Sequence, residues 1–229
     1  GSCFLRQGLK LSPPPKTGGP DFRIEHDGRV IWIEAITASP GIQNNQVPDI
    51  SPSHGIASQV PSKEILLRYT AAIKEKYEKY SERYLNKIIK PSAVFIIAVN
   101  YYKYSPLYFT GRSTYPAILE AVYPMGLQQV HKDGSQSISY RDKIVNANQA
   151  KIATNLFIDP QYSGITAVLF TNQNEFYRSN YPTIPIILAH NKLAANPLRP
   201  SPIKVDYEYW LENIPTGYKI CRSAMSGQV

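Results

Sequence analysis

Cysteine is scarce in this chain: Cys3 and Cys221 are the only two among 229 residues and stand near opposite ends. That excludes a disulfide framework, and with no second ligand at metal-like spacing neither cysteine supports a zinc site. Long apolar runs are missing as well. Stretches such as Ala93 to Val99 fall far short of the ~20 residues that span a bilayer, and no signal-peptide pattern opens the sequence. No Gly-rich phosphate loop of the strand-to-helix type occurs, nor a Gly-x-Ser-x-Gly elbow, so neither P-loop nor α/β-hydrolase chemistry is indicated. These absences predict a cytoplasmic, reducing setting without a membrane partner. The opening Gly1-Ser2 reads as a tag-cleavage remnant, which predicts that the natural protein begins earlier.

Positive charge, by contrast, is plentiful. Lys and Arg number 25 against 17 Asp and Glu, for a formal charge of +8 and a pI near 9.3. Such a balance favours a polyanionic partner or an anionic surface. Hydrophobic residues make up 43% and charged residues 18%, an ordinary globular composition. At this length one substantial core is expected, so residues 1–229 read as a single domain.

The richest local signal is Gly19-Pro20-Asp21-Phe22, followed by Val30-Ile31-Trp32-Ile33-Glu34-Ala35. Between them stands Asp27-Gly28, a dipeptide that readily supplies positive φ at both central positions of a two-residue hairpin. An antiparallel pair folded about that turn brings Asp21 and Glu34 to the same end of a sheet. Side chains alternate along a strand, so Val30, Trp32, Glu34 and Ile36 share one face and Ile31, Ile33 and Ala35 the other. Both faces are largely apolar, which predicts a strand covered on both sides with Glu34 as its one ionisable intruder. A buried carboxylate needs a cation, a hydrogen-bond donor or a proton; a structural Glu with such a partner is the alternative to a functional one. Glu25 shares a face with Asp21 and Arg23 and is expected to be exposed.

Further along, residues 38–61 read as a long mobile loop beside the candidate site. Ser62 is expected to cap a helix running to about Lys90, where Pro91 stops it. Its apolar stripe is Leu66, Tyr69, Ile73, Tyr77, Tyr80, Tyr84 and Ile88. Ala93 to Val99 reads as a central buried strand, with Ile165 to Thr171 and Ile184 to Ala189 as two more. Residues 101–135 read as an irregular Tyr/Pro/Gly-rich insertion, whose segment 101–112 interleaves tyrosines with basic residues in the manner of a base-stacking surface. His190-Asn191 either line the site or serve a structural turn. Four prolines after residue 196 predict only short elements to the end. The element order predicts an α/β domain with a central mixed sheet and a helix packed across it.

Asp21 after proline, Glu34 on the hairpin partner, then a helix and a buried strand: this arrangement resembles the PD-(D/E)xK restriction-endonuclease-like superfamily, with motifs over residues 19 to 100. The resemblance implies a three-layer core, a central mixed β-sheet flanked by helices. It implies that Asp21 and Glu34 bind magnesium (or manganese), that the Ala35 carbonyl completes the shell, and that nucleic acid, DNA in preference to RNA, is hydrolysed at its phosphodiester bonds. Two carboxylates suffice for magnesium, which keeps several waters. Cutting both strands would favour a homodimer with a symmetric pair of sites. In that superfamily a lysine stands two residues after the Glu; here that position is Ile36.

Two accounts of Ile36 follow. A basic group has moved onto the helix, with Lys74 the leading candidate and Arg68 the second, because Arg68, Thr70 and Lys74 lie where the helix start should cross the hairpin. Alternatively the fold persists as a catalytically inactive nucleic-acid-binding module. An interaction protein with an acidic partner is the third reading.

Overall fold

The computed structural model describes residues 4–5, 7–14, 16, 18–42, 46–48, 60–101, 115–171 and 185–224, with only the backbone of Gln136. Much of the 38–61 loop and all but Tyr101 of the 101–112 segment lie outside these residues.

The chain is α/β, and eight of its twelve described strands build one mixed sheet. Three strands come first: β1 (Leu11–Ser12), β2 (Phe22–His26) and β3 (Arg29–Thr37). Helix α1 (Ser62–Lys79) then leads to β4 (Val94–Asn100). A short helix α2 (Leu119–Val122) precedes two small hairpins, β5 (Met125–Val130) with β6 (Gln136–Tyr140) and β7 (Lys143–Val145) with β8 (Lys151–Ala153). The large sheet resumes with β9 (Ala167–Thr171), β10 (Ile187–His190), β11 (Tyr207–Ile214) and β12 (Gly217–Ala224). Across the sheet the order is β1-β2-β3-β4-β9-β10-β11-β12. The β3–β4, β4–β9 and β10–β11 pairs are parallel and the rest antiparallel.

The hairpin forms as its sequence dictates. Asp27 and Gly28 both take positive φ, 48° and 71°, as a two-residue turn of this hand requires. That turn sets the register Phe22↔Ile33, Arg23↔Trp32 and Ile24↔Ile31, and the register sorts the side chains. Ile24, Ile31 and Ile33 enter an apolar cluster with Val94, Ile96 and Leu188 on one face. Trp32 enters the other, larger cluster with Tyr69, Ile73, Phe95, Ile97 and Phe170. A one-residue slip would exchange these sets, so burial on both faces pins the register.

Both α1 and α2 pack on the larger cluster's face. The opposite face is closed by Phe4, Leu198, Ile203 and Val205 from segments near the two ends of the described chain. Helical cover is therefore sparse among the described residues, where the sequence predicts a sheet flanked by helices; apolar side chains on irregular segments do the same work of excluding water.

Helix α1 departs from its expected bounds at both ends. Pro61 rather than Ser62 occupies the cap position, and no side chain caps it. At the other end the α-helix stops at Lys79 and a single π-helical turn follows, Tyr80–Tyr84, closed by Leu85 N–H donating to the Tyr80 carbonyl at 2.9 Å. Leu85 then turns extended (ψ 132°) and Asn86 takes φ 62°, which ends the helix before Pro91 is reached. The expected stripe faces the sheet: Leu66, Tyr69, Ile73, Tyr80 and Tyr84 are buried in the larger cluster, with Tyr77 and Ile88 packed against it.

The C-terminal segment also differs from expectation. Tyr207–Ile214 and Gly217–Ala224 form an eight-residue hairpin pair, with Pro215 in the turn between them. Prolines 197, 200 and 202 all precede the first of these strands, and so interrupt neither.

Candidate active site

The β2–β3 hairpin presents the two carboxylates singled out by the sequence on one sheet face. Phe22 pairs with Ile33, so extending the register by one residue sets Asp21 opposite Glu34. Asp21 is exposed just before β2 begins, and its Oδ2 accepts a hydrogen bond from the Ala35 backbone N–H at 2.7 Å. A strand residue directs its N–H and C=O to the same side. The Ala35 carbonyl is therefore directed past the end of β2, to the edge where Asp21 stands.

Glu34 is buried, with 1% of its surface exposed, in the middle of β3 between β2 and β4. Its Oε1 accepts from two ammonium groups on α1, Lys79 at 2.7 Å and Lys76 at 3.1 Å. The other oxygen, Oε2, is buried and accepts no hydrogen bond among the described residues. Two cations on one carboxylate leave this site with net positive charge before Asp21 is counted. Burial opposes the charge on Lys79, but hydrogen bonds and charge attraction from Glu34 and Tyr84 outweigh it and hold that ammonium up at about 12. The Lys79 nitrogen also stands 5.2 Å from the centre of the Tyr84 ring, an approach at which a cation is attracted to the ring face.

The other expected site residues lie elsewhere. Lys74 does not reach Glu34; its charged neighbours are Asp159 and Glu78, and burial pulls its ammonium below the ordinary lysine value despite them. Arg68 packs against the loop after β3, where a side chain at Gly41 would come within 2.5 Å of its guanidinium. The reason is geometric. Residues 76 and 79 are one turn apart and flank the stripe on the hairpin's side, whereas Lys74 is rotated by roughly 200° from Lys76 about the axis. The crossing also falls nearer the end of α1 than its start, a matter of axial offset that periodicity does not carry.

Around this centre, Arg23 lies over Trp32 at 5.7 Å and pairs with exposed Glu25. His190 is buried and meets Glu208 at 3.1 Å, while the Asn191 amide donates to the carbonyls of Tyr162 and Ile165. The latter contacts make Asn191 a structural tie. Tyr101 is buried and stacks on Phe170 at 4.3 Å, so it belongs to the core rather than to a base-stacking surface.

Magnesium suits this donor set. It binds through one or two carboxylates and keeps its waters. Among the described residues Glu34 Oε2 is a buried oxygen without a hydrogen-bond partner, and Asp21 commits one oxygen, Oδ2. No group of three or more His, Cys, Asp or Glu side chains is placed to hold a metal among the described residues. No helix among the described residues is long and apolar enough to cross a membrane. No family model, no curated protein and no solved structure matches this chain.

Proposed function

We propose that the chain is a magnesium-dependent nuclease of restriction-endonuclease-like descent, hydrolysing phosphodiester bonds in nucleic acid, with DNA the substrate to test first. The observation that carries this reading is the convergence on one sheet face of Asp21, buried Glu34 and two helix lysines that contact Glu34. In this reading Asp21, Glu34 Oε2 and the Ala35 carbonyl hold the metal. Bound magnesium would supply charge neutralisation on the phosphate oxygens and an acidified water. The helix lysines stand in for the lysine that Ile36 displaces. Their ammonium groups hydrogen-bond the buried Glu34 carboxylate and offer positive charge to a phosphate. The net charge of +8 favours a polyanionic substrate.

Purified protein is expected to cut DNA with magnesium or manganese, and Asp21→Ala and Glu34→Ala each to lose cutting by about a hundredfold or more, the scale of losing a group that holds transition-state charge. Full activity in either variant would overturn the assignment. One observation favours the inactive, nucleic-acid-binding reading instead: Glu34 Oε1 is already committed to two cations. That reading predicts salt-sensitive binding with no cleavage under any metal.

A further inference from the structure

Resting on the nuclease reading, we propose that the two lysines divide their work: Lys79 contacts the substrate phosphate, Lys76 secures Glu34 from within, and Tyr84 positions Lys79 through the π-helical turn. Exposure grades outward through the three groups, 1% for Glu34, 15% for Lys76 and 34% for Lys79. A phosphate arriving from solvent therefore meets Lys79 first. Its ammonium carries three donors; Glu34 takes one at 2.7 Å and the Tyr84 hydroxyl a second, which leaves one for a non-bridging oxygen.

The turn explains how Tyr84 comes to lie beside Lys79. Residues five apart on an α-helix are rotated by roughly 140° and do not meet. Widening the last turn to the π form brings position 84 back beneath position 79. The result is a 5.2 Å approach of the ammonium to the ring of a buried tyrosine, itself fixed in the larger cluster. Lys79 is thus gripped from two sides, Glu34 and Tyr84, and is pre-set in one place before substrate arrives. In the reaction the water oxygen forms the new bond to phosphorus as the bond to the leaving oxygen breaks. The proton lost by water balances the leaving alkoxide, and Lys79 stays charged throughout.

The test uses intact protein and two independent readouts. In amine-selective acetylation read by mass spectrometry, a DNA oligonucleotide added with calcium should protect Lys79 more strongly than it protects Lys76. In cleavage assays with magnesium, Lys79→Met should lower kcat about a hundredfold and Lys76→Met by less. Tyr84→Phe should lower kcat about tenfold with KM little changed, by loosening Lys79, and Tyr84→Leu should lower it further. Absence of cleavage with Lys79 still protected would sink the nuclease reading and keep the phosphate contact. Lys79 left unprotected by bound DNA, or Lys76→Met costing more kcat than Lys79→Met, would overturn the division of labour. Unchanged kcat in both Tyr84 variants would overturn the positioning role.

Discussion

Glu34 illustrates how one residue sets the demands on its surroundings. A carboxylate in the middle of a two-sided strand has lost its water, and the fold returns that solvation through Lys76 and Lys79. Glu34→Ala removes the acceptor and leaves two ammonium groups facing an apolar sheet. Breaking a fully buried pair costs about 3–5 kcal/mol; here Lys79 is one-third exposed and can swing back to water, so about 1–3 kcal/mol is expected. Urea denaturation of wild type and variant measures it, and no loss would mean that the lysines re-solvate freely. Lys79 also fixes a pH dependence. Its value rises from 10.5 unfolded to about 12 folded. The charge-linked stabilisation is thus fully present below 10.5 and disappears as pH rises through about 12. The difference in melting temperature between wild type and Lys79→Met should hold steady from neutral pH to about 10.5 and close by about 12. A gap that persists at the upper end would assign the effect to packing of the lysine stem.

Among the elements, those with a strong local code were legible in the sequence. The β2–β3 hairpin was, because Asp27-Gly28 fixes the turn and apolar alternation fixes the faces. So were the core strand β4 and the buried stripe of α1. The lysines of the site were not, because two facts intervene that lie outside local periodicity: where along its axis α1 crosses β3, and the π-helical turn that moves Tyr84 onto Lys79. A positive hint did exist, since Lys76 and Lys79 flank the tyrosine stripe at i, i+3 spacing, but Lys74 is as close to that stripe by count alone. The β11–β12 hairpin was hidden for another reason. Proline density suggested breakage, yet its strands are held by a tertiary clamp. The hydroxyl of buried Tyr123 lies 3.0 Å from the His190 carbonyl and 2.9 Å from the Tyr209 carbonyl, its one proton shared between them, joining the end of β10 to β11. Tyr123→Phe keeps the ring and strips both carbonyls of that donor, an expected loss of about 1–3 kcal/mol. Thermal denaturation checks the loss, and hydrogen exchange should show it concentrated in β11 and β12. A uniform rise in exchange across the sheet would argue against a local clamp.

For the whole molecule, the nuclease proposal requires an eight-stranded sheet with most of its described helix on one face to meet a polyanion. The candidate site lies on that helix-bearing face at the β2–β3 end, and the positive ions nearest to it, Lys76 and Lys79, are partly neutralised by Glu34. Binding should therefore depend on salt through many weak phosphate contacts across a +8 surface, with the site lysines adding only a small share. For duplex DNA with calcium held constant, the logarithm of affinity should fall linearly with the logarithm of salt, each phosphate contact contributing a slope of about −0.9. Replacing Lys79 by Met should reduce the magnitude of that slope by about one, as expected for one lost phosphate contact. Asp21→Ala should leave the slope unchanged or raise it, because it removes negative charge from the face that the proposal sets against the phosphates. Fluorescence anisotropy over a salt series separates these outcomes. A slope near zero for the wild type would detach the basic charge from nucleic acid altogether and leave an acidic protein partner as the explanation of it.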